Sequence, residues 1–135
     1  MTLYMLDTSI ASAIITGRID LSSQLERLVS AEWCISAITR AELEFGIAKR
    51  PEATKLARLV KAFLDAARAE PFDAKAADGF GQLHALLERH GVGIGIADEL
   101  IAAHALSLGA AIVTDNVRHF GRVPGLEVQN WLRPA

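Results

Sequence analysis

Cysteine is nearly absent from this chain: Cys34 stands alone among 135 residues. An intrachain disulfide is therefore impossible, and so is a zinc site built from four cysteines. Long apolar runs are missing too. The longest uncharged stretch, 100–114, has fifteen residues and includes His104, Ser107 and Gly109. That is short of the ~18–20 residues that span a bilayer, and it reads as a buried helix followed by a buried strand. The opening residues, MTLYMLDTS, lack the basic start and long apolar centre of a secretory signal, because Asp7 arrives early. With no membrane segment expected, a cytoplasmic setting is. Neither sign of charge dominates: 14 Lys and Arg face 16 Asp and Glu, for a net charge of −2. Any contact with nucleic acid must then come through a local patch. The four histidines show no ligand spacing such as HExxH, and His104, in an apolar helix, reads as a core or interface residue. Gly91, Gly93 and Gly95 lack a Walker lysine and follow a helix, so they make a connection rather than a phosphate loop. No repeat, low-complexity tract or linker divides the chain.

What remains is an apolar chain (51% hydrophobic) of a length that suits one domain, 1–135. Short apolar runs at 3–6, 33–37, 110–114 and 126–129 read as strands, with a minimal extended link at 70–72. Between them lie helical patterns at 10–15, about 20–30, 39–49, 52–69, 73–90 and 98–108. The second carries the capping pattern Ser23-x-x-Glu26. In the fourth, Leu56, Leu59, Val60, Phe63 and Leu64 recur at spacings of three and four. Strands alternating with helices predict a three-layer α/β/α fold with a short, mostly parallel central sheet. The apolar residues of 10–30 and 52–64 exceed what one small core requires, which points to an interface.

In open α/β sheets ligands bind beyond the carboxyl ends of the strands. Asp7 ends the first strand, Glu42 lies in the first turn after the second, Asp98 opens a helix after the glycine loop, and Asp115-Asn116 follows the strand at 110–114. No His, Ser or Cys recurs in this way. Each acid also has a local use: Asp7 and Asp98 as helix caps, Glu42 in a capping box with Thr39, Asp115-Asn116 as a turn. Converging carboxylates repel one another, and an all-oxygen ligand set suits magnesium or manganese, which activate water for phosphodiester hydrolysis. Glu44 and Glu99 are adjacent to these positions, but helical geometry turns them away, toward solvent or behind the ligands. Arg40, Arg118, His119 and Arg122 are the basic residues nearest the acids; they either neutralise RNA phosphates or are ordinary solvated charges.

The stretches Leu6-Asp7-Thr8-Ser9, Ile35-Ser36-Ala37-Ile38-Thr39-Arg40-Ala41-Glu42-Leu43, Ile94-Gly95-Ile96-Ala97-Asp98, and Val113-Thr114-Asp115-Asn116 with Phe120 resemble the PIN-domain ribonucleases, and within them the VapC toxins of toxin–antitoxin pairs. The likeness runs from end to end of the chain. It implies a Mg²⁺-dependent endoribonuclease, with Mn²⁺ as an alternative ion, that forms a homodimer and is silenced by a cognate antitoxin protein. The family's metal-binding acids fall on Asp7, Glu42 and Asp98. The fourth falls on Asn116, with Asp115 as the neighbouring acid. Ser9 stands where many relatives have Asn, and Thr114 matches the threonine before the fourth position. A PIN-like protein that binds RNA or a partner without turnover is the alternative from a different class. A DNA or flap nuclease is disfavoured by the small size and the lack of a basic groove.

Overall fold

The apolar run Leu3–Leu6 forms β1 as expected, buried from Tyr4 onward. The computed structural model describes residues 2–18 and 32–132, so the helix expected near 20–30, with Ser23 and Glu26, lies outside the described residues. After β1 come α1 (Thr8–Ile15), β2 (Glu32–Ser36), α2 (Ala37–Ala48), α3 (Thr54–Ala66), β3 (Ala69–Glu70), α4 (Ala74–Arg89), α5 (Ile96–Leu108), β4 (Ala111–Val113), α6 (Val117–Phe120) and β5 (Val128–Gln129). The strands form one sheet in the order β3-β2-β1-β4-β5, and every pairing is parallel.

Alternation along β1 shows how the layers form. Successive side chains of a strand point to opposite faces. Tyr4 and Leu6 join a cluster with Ile10, Leu43, Val60 and Leu64 of α1, α2 and α3. Met5 goes to the other side, against Leu83 and Leu87 of α4 and Ile101 of α5. Helices thus cover both faces, the three-layer arrangement expected. The apolar face of α3 is largely used in this core: Val60 and Leu64 are buried, Leu56 and Phe63 pack against them, and Leu59 is the one left exposed.

Caps explain where helices begin. Ser36, not Thr39, caps α2: its hydroxyl accepts from the Ile38 amide at 3.0 Å, so the helix starts two residues before the expected Thr39 and buries Thr39 inside it. Asp73 caps α4 by accepting from the Ala76 amide at 3.0 Å. α5 begins at Ile96, ahead of Asp98, and its cap position is Gly95, whose φ of 102° favours glycine. The single turn α6 was not anticipated from the sequence. It follows a Thr114 hydroxyl that accepts from the Asn116 amide at 2.8 Å.

Candidate active site

The order β3-β2-β1-β4-β5 reverses direction at β1: the chain moves outward through β2 and β3, then returns to the other side with β4 and β5. A crevice at the carboxyl ends of the strands opens at such a point. Asp7 stands there, directly after β1, 3% exposed. It does cap α1, its Oδ1 accepting from the Ile10 amide at 2.9 Å, but it does more. The Ser9 hydroxyl donates to the same oxygen at 2.7 Å, and the Thr114 hydroxyl, just beyond β4, donates to Oδ2 at 2.5 Å. Burial pushes the Asp7 carboxyl upward in pKa, and these hydrogen bonds pull against it. A carboxylate offers about four lone-pair sites. The Ser9 backbone amide adds to these three donors, so hydrogen bonds hold the carboxylate in one orientation.

Ser9 also links the two strand ends, since its hydroxyl accepts from the Asp115 amide at 3.2 Å. The Asp115 carboxylate takes a hydrogen bond from the Asn130 amide group at 3.1 Å. The Asn116 side chain donates to Nδ1 of His119 at 2.7 Å. From the β2 side, Glu42 is half-buried and its Oε1 accepts from the Thr8 hydroxyl at 2.6 Å, with Thr39 Oγ1 3.3 Å from that hydroxyl. The capping-box role considered for Glu42 is therefore replaced by a contact to α1. Thr8 is a site residue that the sequence offered only as part of the Leu6-Asp7-Thr8-Ser9 motif; its place one residue past Asp7 was the available signal.

Asp98 is the electrostatic meeting point. Burial, then the negative charges of Asp7 and Glu42, push its carboxyl up to about 6, with His119 pulling the other way. Three acids from β1, α2 and α5 thus share one field. An all-oxygen set of this kind, with the charges of two acids adding to burial to raise the pKa of the third, has the chemistry that a hard divalent cation relieves. As the side chains stand, among the described residues no three His, Cys, Asp or Glu groups are placed to hold one ion together.

The neighbouring acids differ from each other. Glu44 is exposed, as expected of a residue turned away from the site. Glu99 is also turned away, but not into water: it is 2% exposed and bonded to His84 of α4. His104 is a core residue, its Nδ1 2.7 Å from the Ser36 hydroxyl, and burial holds its pKa down. Among the basic candidates, Arg40 and Arg118 are exposed, whereas the Arg122 guanidinium donates to the Gly93 carbonyl at 3.3 Å.

A family model described as the PIN domain matches residues 4–126. A curated relative from Salmonella typhimurium, "tRNA(fMet)-specific endonuclease VapC", is 34% identical over 97% of this chain and 99% of its own length. "Ribonuclease VapC2" of Rickettsia felis is 36% identical over 96% of this chain and 98% of its own. Among solved structures, VapBC2 from Rickettsia felis bound to a promoter DNA fragment superposes with a TM-score of 0.88 at 35% identity, covering 96% of this chain and 99% of the other.

Proposed function

The chain belongs to the PIN-domain family, and from that membership and the geometry of its site we propose that it is an endoribonuclease toxin of the VapC kind, dependent on Mg²⁺ or Mn²⁺ and restrained by a cognate antitoxin protein. One observation carries the reading: Asp98 is pushed to about 6 by burial and then by the charges of Asp7 and Glu42, three acids brought to one crevice from separate elements. Asp7, Glu42 and Asp98 would hold the ion, with Asp115 or Asn116 completing the set. When bound, such an ion lowers the pKa of water and offsets the charge that builds on the phosphate.

The chain's own residues supply the order. Ser9, Ile10 and Thr114 fix both oxygens of Asp7, so its carboxylate is held in one orientation. Thr8 holds Glu42 toward the same crevice. In the hydrolysis, a water oxygen bonds to phosphorus, one P–O ester bond breaks, and the departing oxygen takes a proton. Arg40 and Arg118 are exposed and near the acids in sequence, which makes them candidates to neutralise flanking phosphates. Arg122 is committed in part to Gly93 and is a weaker candidate.

The antitoxin reading is supported by structural neighbours that are named as VapBC complexes. A homodimer is part of the proposal; light scattering of the purified chain should give about twice 14.5 kDa, and a monomer at micromolar concentration would count against it.

The alternative reading is a PIN-like protein that binds RNA or a partner without cleaving it. A fluorogenic RNA and a panel of transfer RNAs, each incubated with Mg²⁺ and with EDTA, separate the two. Cleavage that EDTA stops supports the enzyme. Binding without cleavage in either condition supports the other.

A further inference from the structure

Glu99 is a carboxylate with almost no contact with water, one residue past Asp98, and the chemistry above does not use it. Its side chain points between α4 and the glycine loop. Oε1 lies 2.6 Å from Nδ1 of His84, and Oε2 accepts from the backbone amide of Ile94 at 3.3 Å. His84 is stacked on Phe80, ring centres 5.5 Å apart at 10°, so its imidazole is held in one orientation.

The segment that Glu99 grips needs holding. Gly95, the cap of α5, has no side chain with which to accept an amide hydrogen, and Gly91 and Gly95 both have positive φ. A loop this rich in glycine has many conformations to lose. Glu99 reaches back over it: a Cβ on Gly93 would lie 3.7 Å from Oε2. The Arg122 guanidinium also donates to the Gly93 carbonyl. The loop leads directly into the first turn of α5, where Asp98 sits.

We infer that His84 and Glu99 form a clamp that positions Asp98, by fixing the glycine loop and the first turn of α5 against α4. The role toward the metal rests on the proposed function; the clamp itself does not. Neither residue touches substrate, so both are positioning residues. Loss of a group that orients a ligand generally costs 10–100-fold in metal affinity or activity.

Three measurements on wild type, Glu99→Gln and His84→Phe test it, with His84→Gln as the conservative replacement that can still donate to Glu99. Phenylalanine keeps a ring against Phe80 and loses the hydrogen bond. In the metal-free chain, amide hydrogen exchange at 94–99 should quicken about tenfold in Glu99→Gln and His84→Phe, and His84→Gln should restore most of the protection. Mn²⁺ titrated by electron paramagnetic resonance should bind about tenfold more weakly to the same two variants. The kcat for RNA should fall in step while KM changes less than twofold. Should Glu99→Gln fail to fold, His84→Phe carries the same test from a partly exposed position. Unchanged exchange in the variants overturns the clamp. So does unchanged Mn²⁺ affinity in them when Asp98→Asn loses it. A wild-type chain that binds no Mn²⁺ overturns the proposed function instead, and the exchange rates still decide the clamp.

Discussion

Asp7 and Asp98 do different work although both are acids at the same rim. Asp7 is held by donors from Ser9, Ile10 and Thr114, and the Thr114 hydroxyl donates to Oδ2. Thr114→Val keeps the shape and removes that donor. Cleavage by this variant should drop by about 10–100-fold at fixed Mg²⁺, measured as initial rate on a fluorogenic RNA; an unchanged rate would show that Oδ2 needs no orientation. Asp98 instead carries the cost of crowding. Its folded-state pKa, about 6, lies above the ordinary 3.8, so the native state holds the proton more tightly than the unfolded chain. The penalty is absent below about pH 4 and grows as pH rises through 6. Asp98→Asn removes it. Without metal, this variant should therefore melt a few degrees higher than wild type at pH 8, and the gap should close toward pH 4. With Mg²⁺ present the order should reverse, because only wild type gains from binding. Calorimetry at the two pH values, with and without the ion, checks both halves. At this scale the sequence was readable where a strand ended in an acid. Of the two readings open for Glu99, solvent or behind the ligands, burial selects the second. Its 100° offset from Asp98 does turn it from the strand ends, but α5 is buried on most sides, so that direction leads to His84 and not to solvent.

Elements were legible as alternating short strands and amphipathic helices, and their boundaries were less so. The α2 start moved from Thr39 to Ala37 because the Ser36 hydroxyl at the strand end caps the helix. Ser36 serves two neighbours at once, since its hydroxyl accepts from the Ile38 amide and meets His104 Nδ1. Ser36→Ala uncaps α2 and strands a buried imidazole nitrogen. It should cost about 1–3 kcal/mol in urea unfolding, with little change in the slope. A loss below about 0.5 kcal/mol would mean that the cap and the imidazole contact are not doing the work assigned to them. The β5 strand shrank to two residues, and α6 went unseen, because four-residue turns carry too little periodicity to read.

For the whole molecule, what decides function is topology rather than composition. Net charge and residue content placed no acid near another. The parallel order with its reversal at β1 brings positions 7, 42, 98 and 115 from distant parts of the chain to one edge of the sheet. The family likeness read from the motifs is matched by the family model over residues 4–126. Among the described residues no helix is long and apolar enough to cross a membrane, in line with the short apolar runs of the sequence. The central claim is that this edge is a metal-dependent centre for RNA hydrolysis organised on Asp7. Its most direct test is the initial rate of RNA cleavage by Asp7→Asn against wild type at saturating Mg²⁺, both confirmed folded by circular dichroism. The account predicts a loss of at least about a hundredfold, on the order of 3 kcal/mol or more in the barrier. Cleavage by Asp7→Asn within a few-fold of wild type would contradict it.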